Sequence, residues 1–171
     1  MDIELSEDIA PEYLEDVWNI LTNSEFLRLS QYVHHHWTNR FMHSLNVSYL
    51  SWLIAGKLGC DARAAARAGL LHDFCPYDFK AVTPTGESQA YYHPKAAAKN
   101  SEALFGISDR EREAILSHMF PLGPLPRNRE AWIITLADKV CATMEGCHIA
   151  IALARRGRVT VVNGTTRRVE D

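Results

Sequence analysis

The stretch AGLLHDFCPYDF, residues 68–79, ends an apolar run in an adjacent imidazole and carboxylate, His72 and Asp73. One His-Asp pair carries little information in a chain with 8 histidines. It becomes informative when other ligand-type residues fall at suitable helical positions elsewhere. Just upstream, Asp61 is suited to cap a helix. The Ala-rich segment that follows, about 62–72, combines strong helix propensity with side chains small enough for close helix contacts. His72 and Asp73 are therefore expected where a tightly packed helix opens into a loop.

Working outward, the periodicity is helical almost throughout. Leu14, Val17, Trp18 and Leu21 follow the i, i+3, i+4, i+7 rule and predict an amphipathic helix over roughly 10–28. Met42, Leu45, Tyr49, Trp52 and Leu53 predict a second over 40–58, with Gly59 as its stop. Residues 73–92 hold Pro76, Pro84 and Gly86 and read as a long loop, a kind often functional in compact domains. Pro94 suits the first position of a new helix and Gly106 its end. SDRE, residues 108–111, is a capping box opening a helix to about 119. FPLGPLPRN, residues 120–128, interrupts with three prolines. Asn128 can cap a last helix over about 129–154, with Trp132, Ile133, Leu136, Ala137 and Val140 apolar. Asn163-Gly164, flanked by β-branched residues, signals either a short hairpin or a loose tail. The expectation is one all-α domain of about six helices over 1–154, followed by a hairpin or tail over 155–171.

The totals agree with one domain: 171 residues, 47% hydrophobic and 23% charged. A net charge of −3 argues against an electrostatic grip on duplex nucleic acid. No apolar run approaches the roughly 20 residues that cross a bilayer. The opening MDIELSED lacks the basic and apolar regions of a signal peptide, so a cytoplasmic location is expected. Cys60, Cys75, Cys141 and Cys147 form no C-x-x-C pair, which removes zinc-ribbon and thioredoxin readings and leaves free thiols.

Several ligand-type residues fall at telling places on this map. His43 lies near the start of the second helix, and His93 beside Pro94. His118 sits in ILSHMF, and Asp138 inside the apolar ITLADKV. Each has an ordinary explanation alone, as a hydrogen-bonded core histidine, a helix-end histidine or an ion pair. A mid-helix Asp on a buried face nevertheless needs a partner. Several imidazoles around one or two divalent cations would supply it. His34, His35 and His36 are consecutive, point in different directions on a helix, and are read as solvated or packed.

In this order, RFMHSLNV, AGLLHDF, YYHP, ILSHMF and TLADK resemble the HD-domain superfamily of metal-dependent phosphohydrolases. The pattern H…HD…D falls on His43, His72, Asp73 and Asp138. The added His93 and His118 resemble the six-ligand subset, which usually holds two metals. The size and motif order are similar to those of small bacterial hydrolases of dinucleoside polyphosphates. The HD-GYP type fits less well, because no Gly-Tyr-Pro segment is present. The resemblance implies an all-α fold in which His43, His72 and Asp138 hold one ion, His93 and His118 the other, and Asp73 bridges them. Imidazole and carboxylate together suit Fe, Mn, Co, Ni, Mg or Zn. A water activated between the ions would attack phosphorus, and the loops 73–92 and 120–128 would flank the opening.

Basic residues next to these motifs are phosphate candidates. Arg40 lies one turn before His43 and is the first choice, because guanidinium grips phosphate in two places. Lys139, Lys80 and Arg127 follow, and Arg129 reads as surface charge. Asp73, Arg40 and Lys139 are thus the expected catalytic residues, and Arg40, Lys80 and Arg127 the expected substrate contacts. The expected partner is a phosphorylated, nucleotide-like small molecule, with homo-oligomerisation left open. A di-iron oxygenase on the same scaffold and a metal-containing sensor or binding module are the alternatives.

Overall fold

The computed structural model describes residues 2–6, 9–34, 38–149, 159–162 and 167–169. The elements run β1 (Asp2–Ser6), α1 (Pro11–Leu21), α2 (Ser24–Leu27), a 3-10 turn (Arg28–Gln31), β2 (Val33–His34) and β3 (Thr38–Asn39). Then follow α3 (Arg40–Lys57), α4 (Ala62–Leu71), α5 (Gln89–Phe105), α6 (Asp109–Ser117), α7 (Arg129–Gly146), β4 (Val159–Val162) and β5 (Arg167–Val169). The fold is all-α, with two small sheets at its margins.

Local chemistry starts the long helices. Asn39, Asp61 and Asn128 accept from the backbone N–H of Met42, Ala64 and Ala131, three residues on in each case. Ser108 and Glu111 complete both halves of a capping box for α6. Gly106, at φ +58°, closes α5 in the left-handed region.

Four expectations change. The helix foreseen over 10–28 breaks at Leu21, because Asn23 accepts from the N–H groups of Glu25 and Phe26 and starts a one-turn helix of its own. Pro94 lies inside α5 rather than at its first position. Tyr91 and Tyr92 already donate to the Ser88 carbonyl, so the helix is under way a turn earlier. The last helix ends at Gly146 instead of 154, where Cys147 closes the final turn and His148 turns out at φ +60°. The strands around Asn163-Gly164 do not form a hairpin with each other. β1 lies between them, antiparallel to β4 and parallel to β5, with Glu4 in register with Arg167. An acidic N-terminal strand and a basic C-terminal one thereby share a sheet.

α3 is the central element and packs against α4 and α7; α4 also packs against α1 and α6, and α5 against α6. The small residues of α4 allow the close α3–α4 crossing, where Ser48 Oγ donates to the Ala66 carbonyl at 2.7 Å and accepts from Tyr13 Oη at 2.9 Å. Phe26, Phe41, Leu45, Leu70, Phe74 and Ile134 are fully buried in the core. On α7 the buried face is Ile133, Ala137 and Cys141, whereas Trp132, Leu136 and Val140 stand at 40–57% exposure. Among the described residues, no helix is long and apolar enough to cross a membrane.

Candidate metal centre

Five elements deliver ligand-type side chains to one buried place. α3 brings His43 from its first turn. His72 is the C-cap of α4 and Asp73 the next residue, so a single helix end delivers both. His93 comes from the second turn of α5, His118 from the C-cap of α6, and Asp138 from the middle of α7. Three sets have ligand atoms within 4.8 Å of one another: His43-His72-Asp73, His72-His118-Asp138 and Asp73-His93-His118. All six sequence-derived metal candidates are therefore brought together. His35 and His36 lie outside the described residues. His34 belongs to a strand paired with β3, not to a helix.

The imidazoles share one orientation. Nδ1 of His72 bonds the Gly69 carbonyl (2.8 Å), Nδ1 of His93 that of Gln89 (2.6 Å), and Nδ1 of His118 that of Ile115 (2.7 Å). His43 Nδ1 bonds Glu145 Oε2 at 2.8 Å. Each carbonyl fixes the Nδ1–H tautomer of its histidine and turns Nε2 inward.

The Nε2 atoms face the two carboxylates. His43 Nε2 is 3.1 Å and His72 Nε2 3.7 Å from Asp138 Oδ1. Asp73 divides its oxygens: Oδ1 lies 3.3 Å from His93 Nε2 and 3.8 Å from His118 Nε2, and Oδ2 lies 3.8 Å from His72 Nε2.

Two observations fit a divalent cation. His72 Nε2 is buried with no hydrogen-bond partner, a costly state that a cation accepting its lone pair would relieve. The His93–His118 Nε2 separation is 2.9 Å, and that of His43 Nε2 and Asp138 Oδ1 is 3.1 Å. Two donors held at about 2.1 Å and at right angles on one ion stand about 3 Å apart.

The electrostatics follow from burial and crowding. Burial opposes charge on His43, but hydrogen bonds to Asp138 and Glu145 outweigh it and raise its pKa to about 10. Burial would raise Asp138, yet His43 and His72 hold it well below the usual carboxylate range. His118 is pushed down to about 3 by burial and by its neighbours His72 and His93.

The expected phosphate residues separate. Arg40 does not line the cavity. It is 1% exposed, and its Nη1 donates to the carbonyls of Cys75 (2.5 Å) and Tyr77 (2.8 Å). Its guanidinium lies 3.6 Å from the centroid of the Phe79 ring. The i, i+3 relation to His43 is real, but at the first residue of α3 the long side chain turns beneath the loop after Asp73 and anchors it. Lys139 does reach the site: Nζ donates to the His118 carbonyl at 3.2 Å and lies 3.9 Å from Asp138 Oδ2. Lys80 and Arg127 are exposed, and neither lines the cavity. Arg129 reaches the Leu58 carbonyl instead.

The cavity over the centre measures about 370 Å³ and is lined by Asp73, His93, His118, Asp138 and Lys139 together with Phe79, Gln89, Ala90, Met119 and Ala142. Phe79 also packs against His93, with ring centroids 5.1 Å apart. The sequence reading missed Phe79, Met119 and Glu145. Glu145 had a readable signal: it follows Asp138 by seven positions, two helical turns, on the same face of α7.

Comparison with known proteins places this arrangement. The HD domain family matches residues 40–143. Ribonuclease Y of Protochlamydia amoebophila is 39% identical over 111 residues, covering 63% of this chain and 19% of that protein. Ribonuclease Y of Clostridium perfringens is 37% identical over 113 residues, and that of Thermoanaerobacter pseudethanolicus 34% over 108, with the same coverages. The chain spans about a fifth of the length of these curated relatives. No solved structure matches. All six converging ligand-type residues fall within the matched span, and the chain belongs to the HD-domain family of metal-dependent phosphohydrolases.

Proposed function

We propose that this chain hydrolyses a phosphoester or phosphoanhydride of a nucleotide-like small molecule at a centre of two divalent cations. The observation that carries this reading is the division of Asp73, one oxygen toward His93 and His118 and the other toward His72. A carboxylate so placed is suited to bridge two ions. His43, His72 and Asp138 would hold one and His93 and His118 the other. When bound, such ions would acidify a water for attack on phosphorus and neutralise the phosphate under attack.

The chain's own groups supply the rest. Lys139 Nζ is fixed at the cavity wall by the His118 carbonyl, where it can meet a phosphate oxygen and offset its charge. Phe79, Ala90 and Met119 give an apolar wall that excludes water and offers a surface to a flat base. A cavity of about 370 Å³ lies at the small end of the range for small-molecule sites. Arg40 holds the loop that carries Phe79 through the carbonyls of Cys75 and Tyr77.

A second reading has its own support. Relatives 37–39% identical over 111–113 residues are named ribonucleases, so the second substrate class is a phosphodiester of single-stranded RNA. One experiment separates the two. The purified protein is assayed for bound metals and screened against nucleotides, dinucleoside polyphosphates, cyclic dinucleotides and short single-stranded RNA, with added Mn, Fe, Co or Ni. Turnover of a nucleotide or dinucleotide supports the first reading, and turnover of RNA alone gives the second. Two bound ions with no hydrolysis of any phosphoester would sink both.

A further inference from the structure

Glu145 lies two positions beyond the span matched to the family, and it marks a difference between the two halves of the centre. It is 1% exposed. Its Oε2 accepts from His43 Nδ1 at 2.8 Å, and its Oε1 accepts from Asn46 Nδ2 at 3.2 Å. Asn46 follows His43 by three positions on α3, and Asp138 precedes Glu145 by seven on α7. Two helix faces therefore meet through these four side chains, a group remote in sequence and held at each end by a ligand candidate.

The other three imidazoles have different support. His72, His93 and His118 each turn Nδ1 to a carbonyl three or four positions back on their own helix. A carbonyl orients a ring. A carboxylate orients it and also raises its basicity through a charge-assisted hydrogen bond, making Nε2 a better donor to a cation. The charges divide the same way. Around His43 and His72 stand Asp138, the shared Asp73 and, behind the ring, Glu145. Around His93 and His118 stands Oδ1 of the shared Asp73, with Asp138 also within 4.8 Å of His118, and the Nδ1 atom of each ring faces a carbonyl rather than a carboxylate.

We propose that Glu145 is a positioning residue that makes the two cation sites unequal. The His43–His72–Asp138 half is the tight one and fills first. The Asp73–His93–His118 half is the weak one, filled only as free metal rises. The inference rests on the two-ion reading above. It deepens that reading by making the availability of divalent metal the switch between a half-loaded and a fully loaded centre.

The test is a titration of the chelator-stripped full chain with Mn²⁺ by equilibrium dialysis. The wild type should take up two ions in steps at least tenfold apart. Glu145→Gln keeps the shape but loses the charge. It should weaken the tight step by about 10- to 100-fold, the range for lost outer partners of ligating histidines, and leave the weak step unchanged. Asn46→Ala should weaken the same step by a smaller factor, and it stands in if Glu145→Gln does not fold. His118→Ala should abolish the weak step and spare the tight one. A merely structural Glu145 would lower both steps together or neither, and either pattern overturns the proposal. So would two equal constants in the wild type, or loss of the tight step in His118→Ala. Uptake of a single ion by the wild type would overturn the two-ion reading itself.

Discussion

Gly69 of α4 lies against Ser48 of α3 so closely that a Cβ added to it would stand 3.0 Å from Ser48 Cα and 3.3 Å from Ser48 N. The same glycine's carbonyl accepts from His72 Nδ1 at 2.8 Å. One residue thus sets the α3–α4 approach and the orientation of a ligand candidate. Gly69→Ala would gain about 0.5–1 kcal/mol in helix propensity. It would also overpack backbone that cannot swing aside, at about 1–3 kcal/mol. The net expectation is a loss of about 1 kcal/mol and weaker metal uptake. Gly56→Ala is the control: nothing lies within 4 Å of its added Cβ, so it should be neutral or stabilising. Urea midpoints and metal content of both variants check this.

Arg40 and Lys139, grouped together as phosphate candidates, should part in the laboratory. Removing the Arg40 side chain strips the carbonyls of Cys75 and Tyr77 of a charged donor and empties the space under Phe79. Arg40→Ala should lose at least about 2 kcal/mol of stability. Lys139 is about half exposed, so Lys139→Ala should leave stability within about 0.5 kcal/mol while lowering kcat/KM tenfold or more on the best substrate. Wild-type stability in Arg40→Ala together with lost turnover would return Arg40 to the phosphate.

The contrast shows what was legible in the sequence. Helix starts at Asp61, Ser108 and Asn128 were readable because a cap acts within three residues of itself. The six ligand candidates were readable because buried imidazoles and a mid-helix Asp138 are chemically out of place without a partner. That Arg40 turns under the loop instead of lining the cavity was not readable, because helical spacing gives the face of a residue, not the direction in which a long side chain bends at a helix start. Glu145 near the end of a helix looks like a solvated acid until folding brings His43, 102 positions away, against it. β1 was missed because its partners lie at the other end of the chain.

The pH response of the metal-free protein should carry the mark of His43. Its pKa is raised from 6.5 to about 10 because bonds to Asp138 and Glu145 outweigh burial. A raised histidine contributes stability in full below its unfolded value, and that contribution fades as pH climbs through the folded value. Stability of the metal-free protein should therefore fall between about pH 7 and 10, and fall less in His43→Gln. Cation uptake near neutral pH should release a proton, because the ion takes the place of the one on Nε2. Urea unfolding across this range, and uptake heats compared in buffers of different ionisation enthalpy, test both halves. Equal pH slopes in the two proteins would count against the assignment.

Asp73 is the residue on which the hydrolase reading turns. Its oxygens face His93 and His118 on one side and His72 on the other. Leu70 and Leu71, both fully buried, anchor the segment from the core side, so removing the carboxylate leaves the backbone where it is. Asp73→Ala should abolish binding of at least one cation and cut phosphoester turnover by several orders of magnitude. Helical content should remain near wild type, since Asp73 lies beyond the C-cap of α4. His35→Ala, in a run assigned no ligand, should change turnover by less than about threefold. Metal stoichiometry, turnover of the best substrate and far-ultraviolet circular dichroism on both variants decide the matter. A folded Asp73→Ala protein that still takes up two ions and turns over near the wild-type rate would leave the two-cation hydrolase with nothing to stand on.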